Sequence, residues 1–206
     1  TMYSTDGGKI LFHTKSHFTK LIIFTLMMLI ISFINIKFWF FIGYFFYIAV
    51  IALLVWTYLF GIKSSGSQRW IDLYFINLQP SELMKITLIL FLAKYYNKIP
   101  SENVTNIKYL ITPIFVLFIP VLLVASQPDL GTAVLILASG FIVIWLTGFR
   151  MKFFIYSFFA VILLFPVGVS LLKPYQKSRI LTFLNPERDP LGAGYQIIQS
   201  KIAVGS

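Results

Sequence analysis

Six apolar runs follow one another along 206 residues, each long enough, or nearly so, to cross the hydrocarbon of a bilayer as a helix. They are about Leu21 to Ile36, Trp39 to Ile62, Ser81 to Tyr96, Tyr109 to Ala125, Leu130 to Phe149 and Phe153 to Leu172. The expected fold is therefore an all-α, polytopic transmembrane helix bundle, with residues 1–206 as a single integral membrane domain. Composition agrees: 58% of the chain is hydrophobic and 12% charged, and a mean hydropathy of +0.85 excludes a soluble globular domain. Cysteine is absent, so neither a disulfide framework nor a thiolate metal site exists.

The connections between runs are very short except for the amino-terminal segment, the Lys63 to Pro80 loop and the tail from Lys173 onward. Six spans in alternation put those three on one face of the membrane. Charge disagrees about which face. Lys37, Lys94, Lys98, Lys108, Arg150 and Lys152 fall on one side, and ten Lys and Arg fall on the side of the long segments. The positive-inside rule would make that second side cytoplasmic, although a face built to hold an anionic substrate would break the rule. The first twenty residues lack a charged region followed by an apolar core and a small-residue cleavage site, so no signal peptide is expected. The chain starts at Thr1 and stops in mid-pattern at KIAVGS, which reads as truncation at either end.

A formal net charge of +10 favours anionic partners: lipid headgroups, met by snorkelling side chains, or a phosphorylated ligand. Nucleic acid is not expected, because no basic surface stands clear of the bilayer. Within QPSELMK, Ser81 reads as a helix N-cap after Pro80, with Glu82 well placed against the positive helix end. Glu82 and Lys85 are three residues apart, on one helix face and close enough to pair. The pair is either a salt bridge that makes a polar helix start tolerable or part of a substrate site. In the preceding loop Gly66 allows a turn, and Trp70, Tyr74 and Phe75 suit an interfacial belt. The guanidinium of Arg69 matches phosphate geometry. Asp129 in ASQPDLGTA opens the next apolar run, as an N-cap or as a carboxylate on a cavity floor with Glu82 and Lys85.

The tail carries turns at Asn185-Pro186 and Asp189-Pro190, glycines at 192 and 194, and a short helical pattern from Tyr195. Lys177, Arg179, Arg188 and Lys201 are candidates to neutralise a pyrophosphate. His13 and His17 are four residues apart, but zinc needs a third ligand and none is near. No phosphate-cradling glycine loop and no GxSxG elbow occurs, so nucleotide hydrolysis is not suggested.

Three long motifs, GSQRWIDL…QPSELMKI, QPDLGTA and LNPERDPLGAGYQIIQSKIAVGS, closely resemble the SEDS family of bacterial rod-shape and division proteins (RodA, FtsW, SpoVE), with RodA the nearer look-alike. The resemblance covers essentially the whole chain. It implies a ten-span fold of which these six are the second to seventh. Residues 173–206 would then begin a large extracytoplasmic loop, with the long segments outside. It also implies a multi-pass protein of the bacterial inner membrane that polymerises lipid II beside a class B penicillin-binding protein transpeptidase. The family's proposed catalytic aspartate would lie past the end of this chain, which alone is then expected to be an inactive fragment. What carries over by motif is Glu82, Lys85, Gln79 and Ser81 of QPSE..K, Asp129 of QPDLG, Arg69 and Trp70 of QRW, and Gln199, Ser200 and Lys201 of IIQSK.

In such a reaction an acceptor hydroxyl attacks the anomeric carbon of a polyprenyl-pyrophosphate disaccharide while a carboxylate takes the proton. Cationic side chains, or a divalent cation, would stabilise the leaving pyrophosphate; no other cofactor is implied. A flippase for the same lipid-linked precursor, or a non-catalytic piece of a split gene, fits the sequence as well.

Overall fold

The structure, a computed structural model, describes residues 12–64, 67–72, 77–170, 174–188 and 193–205. Among these, eight α-helices carry most of the chain, with a three-stranded sheet in the first long loop. Gly66, Tyr74, Phe75, Asp189, Pro190 and Gly192, all singled out by sequence, lie outside the described residues. Contacts divide the chain into two compact units, Thr1–Phe149 and Arg150–Ser206.

In the first unit, α1 (Phe12–Phe33) and α2 (Ile36–Phe60) are separated at Asn35, whose side chain accepts from the Lys37 N–H at 2.9 Å and so caps α2. The helices α3 (Pro80–Tyr96), α4 (Lys108–Ser126) and α5 (Leu130–Leu146) follow, and α2 to α5 pack on one another. Residues 14–33 of α1, with α2 and α4, are long and apolar enough to cross a membrane; α5 and residues 151–164 are apolar but shorter. The six expected runs thus correspond to helices, and a multi-pass membrane bundle accounts for them.

Each packed helix buries one narrow stripe. In α2 it is Gly43, Tyr47, Val50, Leu54 and Thr57, a spacing of alternately four and three residues. In α5 it is Ala133, Ile136, Gly140 and Ile144. Small and hydroxylated residues stand in these stripes, while Phe41, Phe45, Ile48 and Trp56 of α2 face outward. That is the arrangement expected where lipid is as apolar as the core and close backbone approach decides packing. A cap ends α5: Gly148 adopts φ +82°, which an L side chain rarely tolerates, and its N–H bonds the Trp145 carbonyl at 3.0 Å.

The loop after α2 holds strands that its sequence did not announce: β1 (Ile62–Ser64), β2 (Ser67–Asp72) and β3 (Asn77–Leu78), antiparallel in that order. Trp70 pairs with Ile62, Ile71 with Leu78 and Asp72 with Asn77. The two-residue separation of Ser64 and Ser67 matches the commonest hairpin length. SQRWID lacks period-two alternation, so pairing with its neighbours, not pattern, makes it a strand.

The second unit contains α6 (Met151–Ser170), α7 (Pro174–Leu184), a 3-10 turn (Pro186–Arg188) and α8 (Ala193–Gly205). The last three elements pack together, with Thr182 and Gly194 buried. The tail is thus more helical than its proline and glycine content suggested.

Candidate functional site

The helix start at QPSE differs from its sequence reading in one respect. Ser81 is not the N-cap. Pro80 already occupies the first helical position, where its missing N–H costs nothing, and Gln79 stands at the cap without a capping side-chain bond. Ser81 is instead buried in the first turn and accepts from Gln79 Nε2 at 3.0 Å. The same amide nitrogen lies 3.0 Å from Asp129 Oδ2, tying the start of α3 to the start of α5.

Asp129 is the N-cap that its position before an apolar run announced. As N-cap of α5 it accepts from the Thr132 N–H at 3.4 Å and from the Thr132 hydroxyl at 2.9 Å. Its carboxylate also meets Arg69 Nη1 of β2 at 3.2 Å, with the two side chains 8% and 23% exposed. A carboxylate so nearly removed from water persists because each oxygen has donors. Arg69 Nε is buried with no hydrogen-bond partner among the described residues.

Gln127, two residues earlier, fixes the turn that presents Asp129. Its side chain is buried and donates from Nε2 to the Leu54 carbonyl at 2.9 Å and to Thr57 Oγ1 at 3.3 Å, both on α2. Neither Gln127 nor Thr57 nor Thr132 was singled out by sequence. A lone glutamine between apolar spans was the available signal for the first, and a hydroxyl three residues after Asp129 for the last.

Lys85 Nζ meets Glu82 Oε2 at 2.8 Å, as the spacing required, with Glu82 55% exposed and Lys85 27%. Among the described residues no hydrogen bond or ion pair joins this pair to the Asp129 cluster, although Gln79 of that cluster caps the helix whose first turns carry the pair. Among the described residues the end of the bundle thus shows an ion pair that is buried, Arg69–Asp129, and one that is open, Lys85–Glu82. Trp70 is partly exposed on β2. The remaining candidates belong to the second unit: Lys177, exposed, donates to the Ser170 carbonyl at 3.3 Å; Arg179 is in α7, Arg188 in the 3-10 turn and Lys201, with Gln199 and Ser200, on an exposed part of α8. No three His, Asp or Glu side chains converge as metal ligands among the described residues.

Residues 2–206 match the family of cell cycle proteins defined by FtsW, RodA and SpoVE. The chain belongs to the SEDS family. It is 43% identical over 164 residues to the peptidoglycan glycosyltransferase MrdB of Escherichia coli K12, covering 78% of this chain and 43% of that protein. A probable peptidoglycan glycosyltransferase FtsW of Buchnera aphidicola from Schizaphis graminum is 34% identical across 100% of this chain and 59% of its own length. Among solved structures, a chain of a peptidoglycan synthase complex that coordinates polymerization and crosslinking superposes with a TM-score of 0.71 at 36% identity, over 88% of this chain and 54% of that one. The rod shape determining protein RodA of Thermus thermophilus gives 0.59 at 28% identity, over 68% and 46%. This SEDS chain spans about half the length of the relatives it matches.

Proposed function

We propose that this SEDS chain forms the substrate mouth of a lipid II-polymerising peptidoglycan glycosyltransferase of cell elongation. The enzyme would act at the outer face of the bacterial inner membrane beside a class B penicillin-binding protein transpeptidase. One observation carries the reading: the first turns of α3 hold an open Glu82–Lys85 pair, and the cap of the same helix, Gln79, belongs to a buried cluster with Asp129 and Arg69. Charges at the end of a membrane bundle suit a substrate whose sugar and pyrophosphate are wet while its prenyl tail stays in acyl chains. The buried cluster acts as the frame, holding the starts of α3 and α5 and the strand β2 in one geometry. The open pair is the working surface, with Lys85 available to an anionic oxygen once Glu82 yields it.

Arg69 is neutralised by Asp129, so the developing pyrophosphate charge falls to other cations, for which Lys177, Arg179, Arg188 and Lys201 are the candidates, with or without a divalent cation. In the full-length protein, Glu82→Ala and Lys85→Ala should each abolish glycan polymer made from purified lipid II, measured by gel separation of labelled strands. Wild-type polymer from both variants would remove the proposal. Transport of lipid II across vesicles without any polymer would replace it with a flippase.

A further inference from the structure

At the opposite end of the same helices lies a second polar constellation that the proposed reaction leaves unused. Lys94, in the last turn of α3, donates from Nζ to the Phe41 carbonyl of α2 at 2.8 Å and sits 4.4 Å from the centroid of the Tyr44 ring. Lys98, one turn on, stands 5.4 Å from the same centroid. The two ammonium groups therefore lie within about 10 Å of each other around one ring, each inside cation–π range. The arrangement is built into the packing. Tyr44 is held by Phe91 of α3 at 4.6 Å between centroids. Gly43 faces the Lys94 stem and the α3 backbone, where a Cβ would rest in ordinary contact with Lys94 Cδ at 3.7 Å and the Leu90 carbonyl at 3.5 Å.

Two like charges gathered around one ring repel, and among the described residues no carboxylate forms an ion pair with either. The nearest acid in sequence, Glu102, is exposed on the 3-10 turn Ser101–Asn103. An anion between the ammonium groups removes the repulsion. From Ser81 to Lys94 the helix rises about 20 Å, so an anion here is not a substrate held at the α3 start. Phe41, whose carbonyl orients Lys94, and Phe45 one turn on both point their rings outward from the bundle, as lipid-facing residues do.

We infer that Lys94, Lys98 and Tyr44 form a binding site for the headgroup phosphate of an anionic phospholipid, in the leaflet opposite the α3 start. The ammonium groups take the phosphate oxygens, and the outward faces of α2 and α3 take the acyl chains. Such a lipid would brace α2 against α3 at the end remote from the ion pairs.

Native mass spectrometry of the detergent-purified full-length protein, titrated with phosphatidylglycerol, tests this. The Lys94→Gln/Lys98→Gln variant should bind phosphatidylglycerol about thirtyfold more weakly than wild type, the loss due for two near-surface cations. Lys94→Arg/Lys98→Arg should keep most of the affinity. Lys37→Gln/Lys108→Gln, two lysines at the starts of α2 and α4 at the same end, should leave it within about threefold. Equal losses in both Gln pairs would reduce the site to diffuse charge and overturn the inference. So would equal affinity for phosphatidylcholine, or full competition by inorganic phosphate at lipid-like concentrations. None of these outcomes depends on glycan polymerisation, so the inference stands or falls apart from the proposed function.

Discussion

Asp129 receives hydrogen bonds or an ion pair from Gln79, Thr132 and Arg69 while only 8% of its side chain meets water. Its charge is tolerable because the guanidinium opposite is fixed by β2. Removing that partner alone is therefore worse than removing the charge pair. Arg69→Met should destabilise the full-length protein by about 3 kcal/mol, because it strands a buried carboxylate. Adding Asp129→Asn should recover part of the loss, since an amide oxygen still caps α5 and still accepts from Thr132. Thermal unfolding in detergent reads the order directly: wild type, then the double variant, then Arg69→Met. A double variant that melts below the single one would show that Asp129 gains nothing from Arg69. Half of this cluster was legible in the sequence. Aspartate before an apolar run announces a cap, and QPSE announces a helix start. The pairing across sixty residues was not legible, because no local pattern specifies which strand a carboxylate will meet.

Two prolines inside α4 show how the helices are joined. A proline at position i cannot bond the carbonyl at i−4, so Pro113 frees the Tyr109 carbonyl and Pro120 that of Val116. Both freed oxygens are taken by tyrosines of neighbouring helices: Tyr95 of α3 donates to Tyr109 O at 3.2 Å, and Tyr47 of α2 donates to Val116 O at 2.7 Å. Each break in the α4 ladder is thereby a bond between helices, as irregular backbone inside a membrane requires. Tyr47→Phe should then cost about 1–3 kcal/mol, the penalty of an orphaned buried carbonyl. In a Pro120→Ala background the same change should cost much less, because alanine at that position restores the intrahelical donor. Equal costs in both backgrounds, by thermal or denaturant unfolding, would mean the tyrosine contributes packing alone. The six apolar runs announced six of the helices within a few residues, except at the start of α1, which begins at Phe12, nine residues before Leu21. Which face each helix buries was not readable, because α2 is apolar on every side and lipid gives no polar stripe to mark the outside. The strands β1 to β3 were missed for a related reason: strands of two to six residues carry too little pattern to stand out from a polar loop.

Across the first unit, bonds at both ends of α2 to α5 order the molecule along its helices. Arg69, Gln79, Gln127 and Asp129 converge at one end, and Phe41, Tyr44, Lys94 and Tyr95 at the other. That alternation fixes which segments share a face of the membrane, and it leaves the face itself to be determined. Counting cations puts the ion-pair end in the cytoplasm, whereas polymerising lipid II outside the cell needs it on the far side. Because the chain has no cysteine, introduced cysteines report without background from it. Asn77 of β3 is exposed at the ion-pair end, and Glu102 is exposed at the other. In intact cells expressing the full-length protein, a membrane-impermeant maleimide should label Asn77→Cys at once and Glu102→Cys only after permeabilisation. The converse pattern would place Glu82, Lys85 and Asp129 on the cytoplasmic face, where a glycan strand has nowhere to grow. The positive-inside count would then be right, and the glycosyltransferase reading of this end of the bundle would fall with it.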